Sequence, residues 1–152
     1  GGETKSPQHP GDENGAVVSP VGSVQVVSRT ISQDCLNAYA EASGDDNPLH
    51  LDAGFAVNTP FGGIIAHGML TLAFIGEMMT AELGRSWLES GGIKVRFKGA
   101  AYLGDQVTAW GRATPRESGA ENQSPEYSVG VWNPASGQEL IKGSAMARIL
   151  LA

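Results

Sequence analysis

The sequence predicts an α+β domain in which a curved antiparallel sheet is wrapped around one buried helix. Two observations carry this. Within residues 68–83, Met69, Leu70, Leu72, Phe74, Ile75, Met78, Met79 and Leu83 cover most of a helical circumference. A helix apolar nearly all round belongs inside a core. After it come four runs suited to strands, at 93–97, 106–114, 127–132 and 140–151. A small sheet buries such a helix most cheaply by curving around it.

The other elements follow in chain order. Residues 1–20 are rich in Gly, Pro and charge without periodicity, and are expected to form a disordered tail before a domain at 21–152. Residues 24–29 are β-branched and read as a first, edge-like strand. Thr30 with Gln33 suggests a capping box. Ile31, Cys35, Leu36, Tyr39 and Ala42 then mark a helical stripe that Gly44 stops. Residues 51–65 show no clear period, and Thr59-Pro60-Phe61-Gly62-Gly63 is a loop signal. Gly104-Asp105 predicts a turn, 119–124 a polar loop, and 133–137 a hairpin connection. Sheet edges left open by this arrangement are covered if two copies pair.

Composition narrows the function classes. At 152 residues and 41% hydrophobic, the chain suits one domain with a real core. A net charge of −6 with no basic run gives no footing for nucleic acid. No window approaches the roughly 18 apolar residues of a membrane span. The single Cys35 rules out an internal disulfide framework or a thiolate metal cluster, and its helical setting suits a buried structural thiol. A cytoplasmic setting is the expectation.

The chemistry concentrates in Ser43-Gly44-Asp45-Asp46-Asn47-Pro48-Leu49-His50. Gly44 permits unusual backbone angles, and Pro48 pushes Asn47 out of the helical region. Asp45 and His50 therefore project from an irregular loop, one a carboxylate and one a group that titrates near neutrality. Such a pair suits general acid/base work. Lone Gly-Asp or Asn-Pro pairs are usually turn formers; the whole string makes the case. A two-His-one-carboxylate metal site from His50, Asp52 and His67 is set aside, because the second His is near in sequence and no strand scaffold is evident.

Further along stand Ala66-His67-Gly68-Met69-Leu70 and Phe97-Lys98-Gly99-Ala100-Ala101-Tyr102-Leu103-Gly104-Asp105. Together with the first string, these residues resemble the MaoC-like dehydratases, the (R)-specific enoyl-CoA hydratases also called hydratase 2. The resemblance implies the hot-dog fold, an α+β sheet around a central helix, and a homodimer or dimer of dimers. It implies hydro-lyase activity on a coenzyme A thioester, or on an acyl-carrier-protein thioester, with no metal and no redox cofactor. Asp45 and His50 match the family's catalytic pair, and Gly68 matches the glycine at the start of its central helix. Ser43, Gly44, Asn47, Pro48 and His67 support the motif. An N–H at Gly68, on a helix N-terminus, suits an enolate oxygen.

One position departs from the pattern. Where several such hydratases carry a supporting Ser two turns into the central helix, this chain has Gly76; Thr71 or Thr80 is a candidate to compensate. Phe55, Phe61 and Gly76 are candidates for the acyl pocket. Lys94, Arg96 and Lys98 alternate on one strand face, opposite Ile93, Val95 and Phe97, where Arg96 and Lys98 could meet the phosphates of coenzyme A. Alternatives within reach of the same residues are a dehydratase of carrier-protein-bound, branched or dicarboxylic 3-hydroxyacyl thioesters, and a non-catalytic acyl-thioester-binding module.

Overall fold

In the computed structural model, residues 23–115 and 124–150 are described; the expected tail and most of the 119–124 loop lie outside them. Strand β1 (Ser23–Thr30) leads into helix α1 (Gln33–Ser43). A 3-10 turn at Pro48–His50 and one turn of helix, α2 (Ala53–Ala56), follow. The central helix α3 spans Gly68–Leu83, and a short α4 (Arg85–Ser90) turns the chain into the sheet. Strands β2 (Gly92–Phe97), β3 (Gln106–Ala113), β4 (Glu126–Asn133) and β5 (Gln138–Met146) complete it.

The five strands form one antiparallel sheet in the order β1-β3-β4-β5-β2, so β1 and β2 are its edges. Helix α3 packs against β1, β3 and β4. Ile75, Met78 and Met79 on the helix, with Val107, Ala109, Val129 and Val131 on the sheet, are fully buried. This is the α+β architecture expected, and α3 has the bounds its apolar run predicts.

The differences are local. The capping box at Thr30 does not form: Thr30 pairs with Gln106 in the sheet, and the Ile31 N–H bonds the Asp105 carbonyl. The helix therefore starts later, with Ser32 as its cap accepting from the Cys35 N–H at 3.1 Å. A cap of this kind contributes about 1 kcal/mol. The last strand ends at Met146, short of the expected 151. Cys35 is half-buried against the core rather than fully inside it. Helix α3 is not covered all round: Met69 is 60% exposed at its open end. Helices α2 and α4 were not expected, since four to six residues are too few to display a helical period.

Candidate active site

Helix α1 ends as the sequence requires. Gly44 sits in the left-handed region at φ 79°, and its N–H returns to the Ala40 carbonyl. The chain then folds through short side-chain bonds. Ser43 Oγ accepts from the Asp45 N–H at 3.2 Å, Asp45 Oδ1 from the Asn47 N–H at 3.3 Å, and Asn47 Oδ1 from the Leu49 N–H at 3.0 Å. Asn47 thereby caps the 3-10 turn that begins at Pro48 and ends at His50. Ser43, Gly44, Asn47 and Pro48 are thus the frame that fixes where Asp45 and His50 stand.

Asp45 is exposed, whereas His50 is buried. The Nδ1–H of His50 donates to the Ile65 carbonyl at 2.8 Å. A carbonyl only accepts, so this bond places the proton on Nδ1 and leaves a lone pair on Nε2. His67, the residue before α3, donates its Nε2–H to the Asp45 main-chain carbonyl at 2.9 Å. Its ring stacks on His50, with centroids 3.8 Å apart and planes 26° from parallel. One polar side-chain atom each from Asp45, His50 and His67 lies within 4.8 Å of the others. Two atoms that far apart can share one water, since a hydrogen bond spans about 2.8 Å.

Helix α3 opens toward the same place. His67 gives its first turn no side-chain cap, while the Leu70 and Thr71 N–H groups return to the His67 carbonyl. The N–H groups of Gly68 and Met69 have no intrahelical acceptor to meet, which makes this end attractive to negative charge. A cavity of about 430 Å³ lies here, lined by Tyr39, Ser43, Asp45, His67, Gly68, Met69 and Phe97. Glycine at 68 keeps it open: a Cβ there would stand 3.3 Å from the Phe97 ring.

Several expected residues lie elsewhere. Phe55 and Phe61 are 49% and 43% exposed and do not line the cavity. Gly76 is two turns along α3, and a Cβ there would meet nothing within 4 Å, so packing inside the protomer does not require glycine. Neither nearby hydroxyl stands in for the missing serine: Thr71 donates to the Gly68 carbonyl and Thr80 to the Gly76 carbonyl, each at 2.7 Å. Arg96 and Lys98 line a separate groove of about 410 Å³ with Lys94 and Lys142. Lys98 and Lys142 share Glu139, while Lys94 and Arg96 have no ion-pair partner among the described residues. Phe97 is half-exposed and leans over Gly68.

Sequence reasoning missed Tyr39 and Phe97 as parts of the cavity. Tyr39 was legible in principle: it precedes Ser43 by one helical turn, so both share a face of α1. Phe97 was not, because only the β2–β5 register brings it to the helix end. Asp52, the carboxylate of the discarded metal reading, caps α2 through the Phe55 N–H. Asp45 takes its place beside the two histidines, but the two rings stack almost parallel. Their lone pairs therefore lie in nearly parallel planes, and one nitrogen of each is committed to a carbonyl.

Comparisons with known proteins bear on the family and the fold. The chain is similar to the (R)-specific enoyl-CoA hydratase of Aeromonas caviae, 35% identical over 89 residues that cover 59% of this chain and 66% of that protein. It is 37% identical to 3-hydroxyacyl-thioester dehydratase Z of Mycobacterium tuberculosis over 84 residues, covering 53% of this chain and 56% of that one. A shorter match of 63 residues, 40% identical, joins it to 3-hydroxybutyryl-CoA dehydratase of Methylorubrum extorquens, covering 41% of this chain and 40% of that protein. Among solved structures, the A. caviae (R)-hydratase involved in PHA biosynthesis superposes with a TM-score of 0.72 at 26% identity, covering 88% of this chain and all of that one. The R-hydratase PhaJ1 of Pseudomonas aeruginosa gives 0.70 at 28% identity, covering 83% and 80%. The fold is thus the hot-dog fold of those hydratases, and the MaoC like domain matches residues 18–131, most of the chain. On these grounds the chain belongs to the MaoC-like domain family.

Proposed function

We propose that this protein is a hydro-lyase that reversibly hydrates trans-2-enoyl-CoA to (R)-3-hydroxyacyl-CoA. The observation that carries the reading is the cluster of Asp45, His50 and His67, with one polar side-chain atom of each within 4.8 Å of the others, beside the uncapped start of α3. Its similarity to hydratases and dehydratases of acyl thioesters supports it.

In this reading Asp45 and His50 hold one water between them. The water oxygen forms a bond to C3 as one of the pair takes its proton. The C2=C3 π electrons move toward the thioester, whose oxygen becomes an enolate oxygen. The Gly68 N–H, at the positive end of α3, donates to that oxygen. A proton from the same pair then returns to C2. Either residue suits the role of base. The reaction calls for no metal and no redox cofactor.

Lys94, Arg96, Lys98 and Lys142 offer a place for phosphates, which coenzyme A and a carrier protein's pantetheine arm both bear. The open edge of β2 and the exposed Met69 and Phe97 fit a second copy paired at this end, as a homodimer or dimer of dimers. The packed interior of α3 leaves little room for long acyl chains, so an optimum at about four to eight carbons is expected.

The test is a panel of trans-2-enoyl-CoA esters and carrier-protein thioesters, linear, branched and dicarboxylic. Loss of enoyl-thioester absorbance is followed, and product chirality is determined. An (R)-3-hydroxyacyl product supports the proposal. Binding without turnover across the whole panel would instead identify a non-catalytic thioester-binding module.

A further inference from the structure

The two stacked histidines are held in opposite tautomers, and that difference divides their roles. His50 carries its proton on Nδ1, toward Ile65, and keeps Nε2 bare. His67 carries its proton on Nε2, toward the Asp45 carbonyl, so its lone pair is on Nδ1. That Nδ1 is buried and has no hydrogen-bond partner. An unsatisfied buried acceptor is costly, and one that persists in a folded protein calls for an explanation.

The explanation is in what the His67 ring touches. We infer that His67 is a positioning residue for the Asp45/His50 pair, tethering Asp45 through its Nε2–H and orienting His50 through the face of its ring. The inference rests on the hydratase reading of the site. His67 is 2% exposed and sits where three elements meet. Tyr39 of α1 approaches its ring at 4.7 Å and 59°, and His50 of the 3-10 turn stacks on it at 3.8 Å. The main chain at Asp45 hangs from its Nε2–H.

Among the described residues, nothing else nearby does this work. Position 76 has no side chain, and the hydroxyls of Thr71 and Thr80 are spent on helix carbonyls. Apart from the Ile65 carbonyl, His67 is the polar group that determines how the His50 ring stands.

The test begins with the full chain carrying 15N-labelled imidazoles. In the neutral imidazole, read at about pH 8, His67 is expected to carry its proton on Nε2 and His50 on Nδ1. His67→Phe keeps a flat ring and loses the tether; His67→Gln keeps a donor and loses the ring. Each is expected to lower kcat about ten-fold or more, because small misplacements of reacting groups are expensive. KM should stay within about two-fold, and the His50 signal should average between tautomers.

A neutral His67 with its proton on Nδ1 overturns the inference. So does either folded variant with kcat within about two-fold of the parent, or a loss that falls in KM alone. Should the variants fail to fold, the tautomers of the parent protein decide. Those tautomers are read without substrate, so failure of the parent to hydrate any enoyl thioester would sink the hydratase reading separately.

Discussion

The two ends of helix α3 have been shaped for opposite purposes. Its C-terminal half is closed. Ile75, Met78 and Met79 are fully buried, and Gly84 returns its N–H to Thr80 to finish the helix. Its N-terminal end is open. No side chain caps it, Met69 is 60% exposed, and the polar groups of His50 and His67 lie under it. One half contributes stability, and the other leaves donors and lone pairs unspent for a ligand. A helix can serve both purposes because its unsatisfied N–H groups all gather in the first turn.

The largest expected effect is at the open end. Asp45→Asn and His50→Ala should each lower turnover by about 10²-fold or more, the range of general acid/base groups. Both variants should still fold. Near-parental rates in both folded variants would remove the catalytic half of the comparison.

The closed end should respond in the other currency. Met79→Ala is expected to cost about 2–5 kcal/mol in chemical denaturation, as for other large-to-small changes in packed cores. Met69→Ala should fall within about 0.5 kcal/mol, as an exposed side chain does. A large, concentration-dependent loss for Met69→Ala would sharpen the picture, because it would show that a second copy covers this end.

Gly68→Ala tests how tightly the open end is built. The added Cβ meets Phe97 at 3.3 Å. The N–H is kept, so the expected fall in kcat/KM is about ten-fold, below the 10²–10³ of removing an oxyanion donor outright. Combining it with Phe97→Leu separates two causes. Recovery would mean the ring was the obstacle; no recovery would mean the substrate itself comes close to the backbone.

The smallest effect belongs to the closed end. Burial raises the pKa of Tyr127 above the usual tyrosine value, and the negative charge of Glu82 near the end of α3 adds to it. A raised folded-state value means that its contribution to stability is complete below about pH 10 and is lost as pH rises through the folded value. Tyr127→Phe should therefore flatten the fall in stability above about pH 10, measured by denaturant titration. An unchanged alkaline slope would show that Tyr127 is not the responsible group.

Much of the fold was legible because its signals are local. The apolar circumference of 68–83 announced a buried helix, Gly44 announced a helix end, and Pro48 announced a turn, each through the conformational limits of one or two residues. The capping box was misplaced because Thr30 is claimed by a pairing with Gln106, far away in sequence. The acyl-pocket candidates Phe55 and Phe61 were chosen for being aromatic and near the motif, but α2 and its following turn leave both half-exposed.

By itself, the sequence determined the class of fold, the loop that presents Asp45 and His50, and the glycine that begins the central helix. These depend on backbone freedom and side-chain periodicity, which neighbouring residues set. Tertiary structure alone decided the partners. It laid His67 on His50, 17 residues away, brought Phe97 over Gly68 through the β2–β5 register, and grouped Lys142 with the cations of β2. It also chose the tautomers, since which ring nitrogen keeps its proton depends on the carbonyl it meets, and those carbonyls belong to Ile65 and Asp45. Contacts of this kind arise from strand register and packing across the whole chain, and no local pattern encodes them.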